Sequence, residues 1–497
     1  MRRALEPFAI LAVAWLGFVA YAWPGIMTWD SVNQLLQARS GAFGDWHPPL
    51  MAATWSVLDS IVRGPSLMLV LQTSLVVLGL FALFRHYFAP RRAAVVAACV
   101  FLFPPVFAPL SAIWKDSLMT GLVLCGAAGL VSERRLAQAG GWFALAFAAG
   151  LRHNAPILIV PLTMMLVPYG AAWRPWRRRA LGIALGVAVS LAGALVDRAL
   201  TRKHEYPFAN MIALADTAGI IDVEPALADD ARVRELLDGI PLTITTDIQA
   251  RMRELRVADI GWLITNAEHP PFAPATSEAQ AAAFVAAFRR AVAAYPASYL
   301  RYRWRVFRAT LGILRGRPRP FVTAQDEDPA HLGYVGETRD HARYQLAIAR
   351  GLRAISRWIV FWPMLYVILA LGLLTLLWRD PLQRGLLLGA LGYEATLLVL
   401  SPGGRDYRYS HWLIVCTVIA TVVRMSTLAT LGPRVSARAS AASSAPRSCP
   451  PPRADSAGSP RRSRSWSRTR RTRSRPPRSA RPRAARRAST ADGTGHH

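Results

Sequence analysis

Asp30 stands in a stretch whose polar side chains have the types and spacing that chemistry on a hydroxyl group would use: PGIMTWDSVNQLLQARSGAFGDWHPP, Pro24 to Pro49. Asn33, Gln34 and Gln37 follow it one and two turns along the same face of a short predicted helix. A carboxylate can take a proton from a hydroxyl, and amides beside it can hold a polyol in place. Asp45, Trp46 and His47 come next, before a double proline. An aromatic ring and an imidazole beside a rigid turn suit a sugar face and a phosphate. Plainer readings compete: Asp30 or Thr28 as a helix cap, Trp46 as an interfacial anchor, the prolines as a helix start. None of them requires three amides on the carboxylate's face, so Asp30 is the leading catalytic candidate.

Three later corners add charge. Trp114-Lys115-Asp116 interrupts an apolar region with a cation and an anion, and charges at that depth are costly enough to be functional candidates. Arg152, His153 and Asn154 form the second corner, and Gly403 to Tyr409, with Arg405 and Arg408 among tyrosines, forms the third. Guanidinium groups match phosphate oxygens in fixed pairs. Lys115, Arg152, Arg405 and Arg408 are therefore the phosphate-binding candidates. Gln34, Trp46, His47, Asn154, Tyr407 and Tyr409 are the sugar- or acceptor-binding candidates. Asp45 and Asp116 are both eligible as a second acid. Asp45 with His47 also supplies two metal-ligand types, which leaves a divalent cation such as Mg or Mn open without defining a site for it. Glu394 lies inside an apolar run with no assigned partner.

The elements that must position these residues are membrane spans. Of the 497 residues, 53% are hydrophobic, and apolar runs of roughly 16 to 22 residues recur, as in a polytopic membrane protein. About ten spans are predicted, near 7–23, 66–84, 93–112, 117–131, 139–153, 154–170, 180–198, 356–377, 382–400 and 410–428. Arginine-rich linkers alternate with the polar corners, and the positive-inside rule puts the linkers and both termini in the cytoplasm. Every polar corner then falls on the outer face. So does a segment of about 155 residues, too long for a bare loop. Within it, Ser277 to Ala294 predicts a helix broken at Tyr295-Pro296. Tyr299 to Arg315 predicts an amphipathic helix lying on the outer membrane surface.

The expected fold is all-α: a polytopic integral membrane protein with about ten transmembrane helices and a mainly helical extracytoplasmic segment. Its parts are a transmembrane module with the catalytic first outer loop (1–200), the outer helical segment (201–355), C-terminal transmembrane helices (356–432) and a tail (433–497). The tail holds seventeen arginines against two aspartates and accounts for about half of the net charge of +29. Rich in Arg, Ser and Pro, it cannot bury a core, and a disordered cytoplasmic segment is expected. Basic charge alone permits nucleic-acid binding, but none is expected of a polytopic chain. The four cysteines show no CxxC spacing, and Lys115 and Lys203 are the only lysines.

One or two carboxylates, several cations and several aromatics beside a membrane fit displacement at a sugar carbon with a lipid phosphate leaving. A base activates the acceptor hydroxyl, and fixed cations meet the charge growing on the phosphate. The pattern P-G-x-M-T-x-D-S-x-x-Q…G…D-W-H-P-P at 24–49 resembles the GT-C class of membrane glycosyltransferases, the superfamily of protein O-mannosyltransferases and lipid A aminoarabinose transferases. The W-K-D corner at 114–116, the R-x-N corner at 152–154 and a D-x-R-Y motif at 406–409 extend the resemblance. It covers roughly residues 1–430, strongly in the first 160, and omits the tail. It implies a polyprenyl-phosphate sugar donor and an active-centre role for Asp30. The expectation is a glycosyltransferase of the bacterial inner membrane, inverting, acting on a glycan, lipid or protein acceptor at the outer face. A flippase or transporter for lipid-linked glycans, a ligase moving a whole glycan, and a binding scaffold are the rivals. A transporter should carry paired broken helices near mid-membrane, and no such repeat is present.

Overall fold

The structure is a computed structural model, which describes residues 2–170, 172–240, 242–244, 246–255, 272–313, 341–401 and 406–443. Its elements are helical; among the described residues, strand pairing is confined to three isolated bridges. Met1 to Val435 forms one compact unit, and Ser436 to His497 is a second unit.

The transmembrane part begins with α1 (Arg2–Ala22), leading through α2 (Trp29–Ser40) and α3 (Leu50–Ile61), in the loop expected to face outward and called the first outer loop, to α4 (Ser66–Phe84). There follow α5 (Pro90–Phe101), α6 (Pro104–Leu110), α7 (Lys115–Leu130), α8 (Arg135–Ala149), α9 (Pro156–Leu166) and α10 (Pro175–Leu200). After the segment expected to lie outside the membrane, called the outer domain, come α16 (Arg343–Ile355), α17 (Pro363–Leu376), α18 (Pro381–Leu400) and α19 (His411–Ser443). Each predicted span is occupied by helix, and the chain is a helical polytopic membrane protein. Four helices are long and apolar enough to cross a bilayer alone, and a fifth crossing is available if α5 and α6, bent by 69°, act together. Among the described residues the ten predicted spans are thus all helical, and length and composition alone separate these five from the rest. The other five predicted spans form helices that are shorter, such as the eleven-residue α9, or more polar, such as α18 with Arg384 and Glu394.

Those helices are held by neighbours. A Cβ at Gly121 of α7 would stand 2.7 Å from the Leu75 Cβ of α4, and one at Gly129 would stand 2.7 Å from the Gly141 Cα of α8. Small residues let backbones approach where lipid supplies no hydrophobic driving force. By contrast, α10 exposes Leu191 and Leu195, the pattern of a helix that faces lipid.

The outer domain has its own core, built on Leu214, Ile220, Phe272, Phe284 and Tyr302. It comprises α11 (Leu214–Val223), α12 (Asp230–Leu236), α13 (Ile248–Leu255), α14 (Glu278–Ala294) and α15 (Pro296–Thr310). The predicted helix at 277–294 forms, with the Ser277 hydroxyl accepting from the Gln280 N–H as its cap. Tyr295 and Pro296 separate it from α15. The amphipathic helix expected at 299–315 forms with different bounds, beginning at Pro296. It ends at Thr310, with 314 and 315 outside the described residues, and it buries Tyr302, Arg303 and Val306 while exposing Leu300 and Trp304. Arg303 goes inward because Asp216 waits there at 2.6 Å. At the C-terminal end, α19 runs on to Ser443, past the tail boundary expected at 433; residues 444–497 lie outside the described residues.

Candidate functional site

The first outer loop is pinned at both ends. Gly25, at φ +118°, turns the chain out of α1, and a Cβ there would come within 2.7 Å of Ile113; no L side chain accepts that conformation readily. The Ile26 N–H then bonds the Ser111 carbonyl (3.0 Å) and the Ile113 N–H bonds the Ile26 carbonyl (3.1 Å), which ties the loop to the corner before α7. At its other end the Asp45 N–H bonds the Lys203 carbonyl, and Asp45 Oδ1 accepts from the Glu205 N–H at 2.6 Å.

Capping of α2 is done by other residues than Asp30. The Thr28 N–H donates to Ser31 Oγ (3.1 Å), Ser31 Oγ donates to the Ile113 carbonyl (2.7 Å), and Trp114 Nε1 donates to Thr28 Oγ1 (2.9 Å). The Asp30 carboxylate is thereby left for other partners. Its Oδ2 meets Arg408 Nη1 at 2.6 Å and its Oδ1 faces His47 Nε2 at 3.3 Å. Arg408 Nε lies 2.6 Å from Asp406, and its guanidinium stacks over Trp114, 4.8 Å from the ring centroid. Lys115 Nζ is 2.6 Å from His47 Nδ1.

That last contact sets the imidazole's state. Burial, and next the Arg152 charge, lower Lys115 to about 7; in its ammonium form it can only donate, so Nδ1 then accepts and the ring proton sits on Nε2, facing Asp30. Burial and then the Lys115 charge hold His47 below the usual histidine value, so the ring is neutral near pH 7. Burial alone would raise the Asp30 carboxyl, but Arg408, His47 and Lys115 outweigh it and hold it well below the usual carboxylate range.

A second pair stands alongside. Arg152 Nη2 meets Asp116 Oδ2 at 2.8 Å, and its Nη1 donates to the Tyr393 hydroxyl at 2.9 Å. Arg152 and Arg408 both lie over the Tyr409 ring, at 5.7 and 5.5 Å. Three carboxylates (Asp30, Asp116, Asp406) thus face three cations (Lys115, Arg152, Arg408), with Tyr409 between the guanidinium groups. Arg152 also lines a cavity of about 590 Å³, with Asp45, Pro48, Pro49, His153 and Asp197.

The fold therefore gathers Asp30, His47, Lys115, Asp116, Arg152, Arg408 and Tyr409 from four corners. Other candidates lie elsewhere. Asp45 is held by His204 (3.0 Å) and the Glu205 N–H, at the cavity rather than at Asp30. Trp46 packs against the outer-domain core. Tyr407 is buried, with its ring against Phe361 and its hydroxyl on the Pro105 carbonyl. Asn154 reaches Thr396 at 3.4 Å. Gln34 is buried, with Nε2 on the Asp30 backbone carbonyl and Oε1 unpartnered. Arg405 lies outside the described residues.

Two partners escaped sequence reasoning. Tyr393 has no polar neighbourhood in sequence except Glu394, which itself accepts from Ser410 at 2.8 Å. Asp406 sits in the last motif, but only the fold shows that it braces Arg408. Of the Asp45–His47 pair, Asp45 contacts His204, and His47 contacts Lys115 and Asp30. Among the described residues, no three metal-ligating side chains converge.

No family model matches the chain, and no curated protein matches it. Among solved structures, it is similar to the crystal structure of ArnT from Cupriavidus metallidurans bound to undecaprenyl phosphate, at 15% identity. The alignment covers 86% of this chain and 79% of that one, with a TM-score of 0.32. A likeness of that size assigns no role to any residue of the site.

Proposed function

We propose that this chain transfers a sugar from a polyprenyl-phosphate donor to a hydroxyl on a glycan, lipid or protein acceptor, at the outer face of the bacterial inner membrane. The observation that supports it is the meeting of Asp30 and Arg408, 2.6 Å apart, beside Lys115 and Arg152. The motifs that resemble the GT-C class are the ones that supply these four residues.

In this reading the resting site stores its cations on its own carboxylates. A carboxylate so strongly stabilised is a weak base. When the donor phosphate arrives, Arg408 and Lys115 turn toward it, and Asp30 loses the charges that depress its pKa. Its basicity rises as the acceptor hydroxyl comes within reach. The hydroxyl oxygen attacks the anomeric carbon, its proton passes to Asp30, and the bond from carbon to phosphate oxygen breaks. The polyprenyl phosphate leaves with one more negative charge, which Lys115 and Arg408 neutralise. The neutral His47 keeps its Nε2–H on the side of Asp30, 3.3 Å away, where it can follow the carboxylate as its partners change. A single displacement inverts the anomeric centre.

The test is reconstitution in proteoliposomes with polyprenyl-phosphate sugars, following release of polyprenyl phosphate and the anomeric configuration of the product. Release with inversion is expected. A retained configuration would sink the single-displacement mechanism, and no release from any donor would sink the enzymatic reading.

A further inference from the structure

Outside the site, a deeply buried charge is Arg303 on α15. Its side chain is 2% exposed, and that of its partner Asp216 on α11 is 0% exposed. Arg303 Nη2 donates to Asp216 Oδ2 at 2.6 Å. Its Nη1 donates, also at 2.6 Å, to the carbonyl of Ser401. Ser401 caps the C-terminal end of α18, where the chain sets out toward the segment that carries Asp406 and Arg408. In addition, α15 packs directly on α18 and on the short 3₁₀ turn Tyr407–Ser410. One guanidinium thus joins the outer domain to the start of the stretch of chain that delivers the site's cation.

Stability alone does not require this arrangement. Two sealed charges cost desolvation that a well-packed apolar pair would avoid. Asp216 Oδ1 and Arg303 Nε have no partner, so the pair is not even fully compensated. An apolar pair, however, could not hold a main-chain carbonyl in one direction. The two fixed bonds of a planar guanidinium can do so.

We propose that Arg303, held by Asp216, is a positioning residue: by fixing Ser401 and the face of α15 that packs on the turn Tyr407–Ser410, it sets where that turn presents Arg408 to Asp30. The outer domain is then a brace for the site as well as a surface above it. This holds whether or not the chain transfers sugar, because it concerns where Arg408 is placed.

The experiment is hydrogen exchange on the full chain in nanodiscs, comparing wild type with Arg303→Gln. A second variant, Arg303→Gln with Asp216→Asn, removes both charges and so avoids leaving a lone buried carboxylate. Amides of 406–410 should exchange at least tenfold faster in both variants. Amides of α11 and α14 should stay within about twofold in the double variant, as expected where local segments open independently. Asp216→Asn alone keeps the bond to Ser401 and should leave 406–410 closer to wild type than Arg303→Gln does. Unchanged protection of 406–410 in the double variant would overturn the proposal. Loosening of α11 and α14 by the same factor as 406–410 would also overturn it, by showing a merely structural pair.

Discussion

Two arginine–aspartate pairs in this molecule have the same contact distance and different surroundings. Arg408 and Asp30 meet at 2.6 Å with side chains 13% and 19% exposed; Arg303 and Asp216 meet at 2.6 Å with 2% and 0%. The first pair also has a neutral imidazole, an aromatic ring and a second cation around it. The second pair has a backbone carbonyl and protein packing. A pair that water or a ligand can reach is able to exchange partners, because the phosphate that displaces the carboxylate replaces the lost attraction. A sealed pair has no such alternative: removing one member leaves a charge uncompensated, at about 3–5 kcal/mol. The open pair can take part in a reaction, and the closed pair can only hold a shape.

The sharpest way to break this contrast is to neutralise the carboxylate in each pair. Asp30→Asn should lower transfer by about a thousandfold or more, roughly 4 kcal/mol in the barrier, with little change in thermal stability. Asp216→Asn should do the reverse, lowering the melting temperature while transfer falls only modestly. Equal melting temperatures for the two variants would erase the distinction.

Removing the cations comes next. Arg408→Gln should cut transfer by roughly a hundredfold, and Lys115→Ala by roughly tenfold, with KM for the donor rising more than KM for the acceptor. Arg408→Gln also has a signature in pH. In the wild type, Asp30 is held ionised well below the usual carboxylate range, and Arg408 is the largest of the charges that hold it there. The ionised base is therefore present above that low pKa and is lost only as pH falls through it. Without Arg408 the pKa rises, and the acid limb of kcat/KM should begin at a higher pH. An acid limb that stays in place would mean that Arg408 does not act on Asp30.

The smallest effect is expected from the tail. Ending the chain after Ser443 should leave transfer within about twofold of wild type, since the residues gathered at Asp30 all precede it. A large loss would assign the basic tail a part in binding anionic lipid.

Much of the scaffold was legible because hydropathy and helix breaks are local. The apolar runs located the spanning helices, Ser277 and Tyr295-Pro296 bounded α14, and the Trp-Lys-Asp corner marked the start of α7. Helix length was less legible: burial by neighbouring helices and burial by lipid both select apolar residues, so the apolar run at 154–170 does not mark where the eleven-residue α9 begins and ends. Which arginines of α15 face inward was no more legible. Alternating arginines describe an exposed face until one of them meets a buried aspartate from another helix.

By itself the sequence determined which residue types stand at which corners, and it singled out Asp30 by the amides on its face. Only the tertiary structure decided which charges meet. It gave Asp116 to Arg152 and Asp45 to His204, put Tyr407 into the core, and left Asp30 facing Arg408 across almost the whole length of the chain. The reason is range. A helix or a turn is fixed by a few neighbouring residues, whereas an ion pair depends on where packing places two elements that carry no local record of each other.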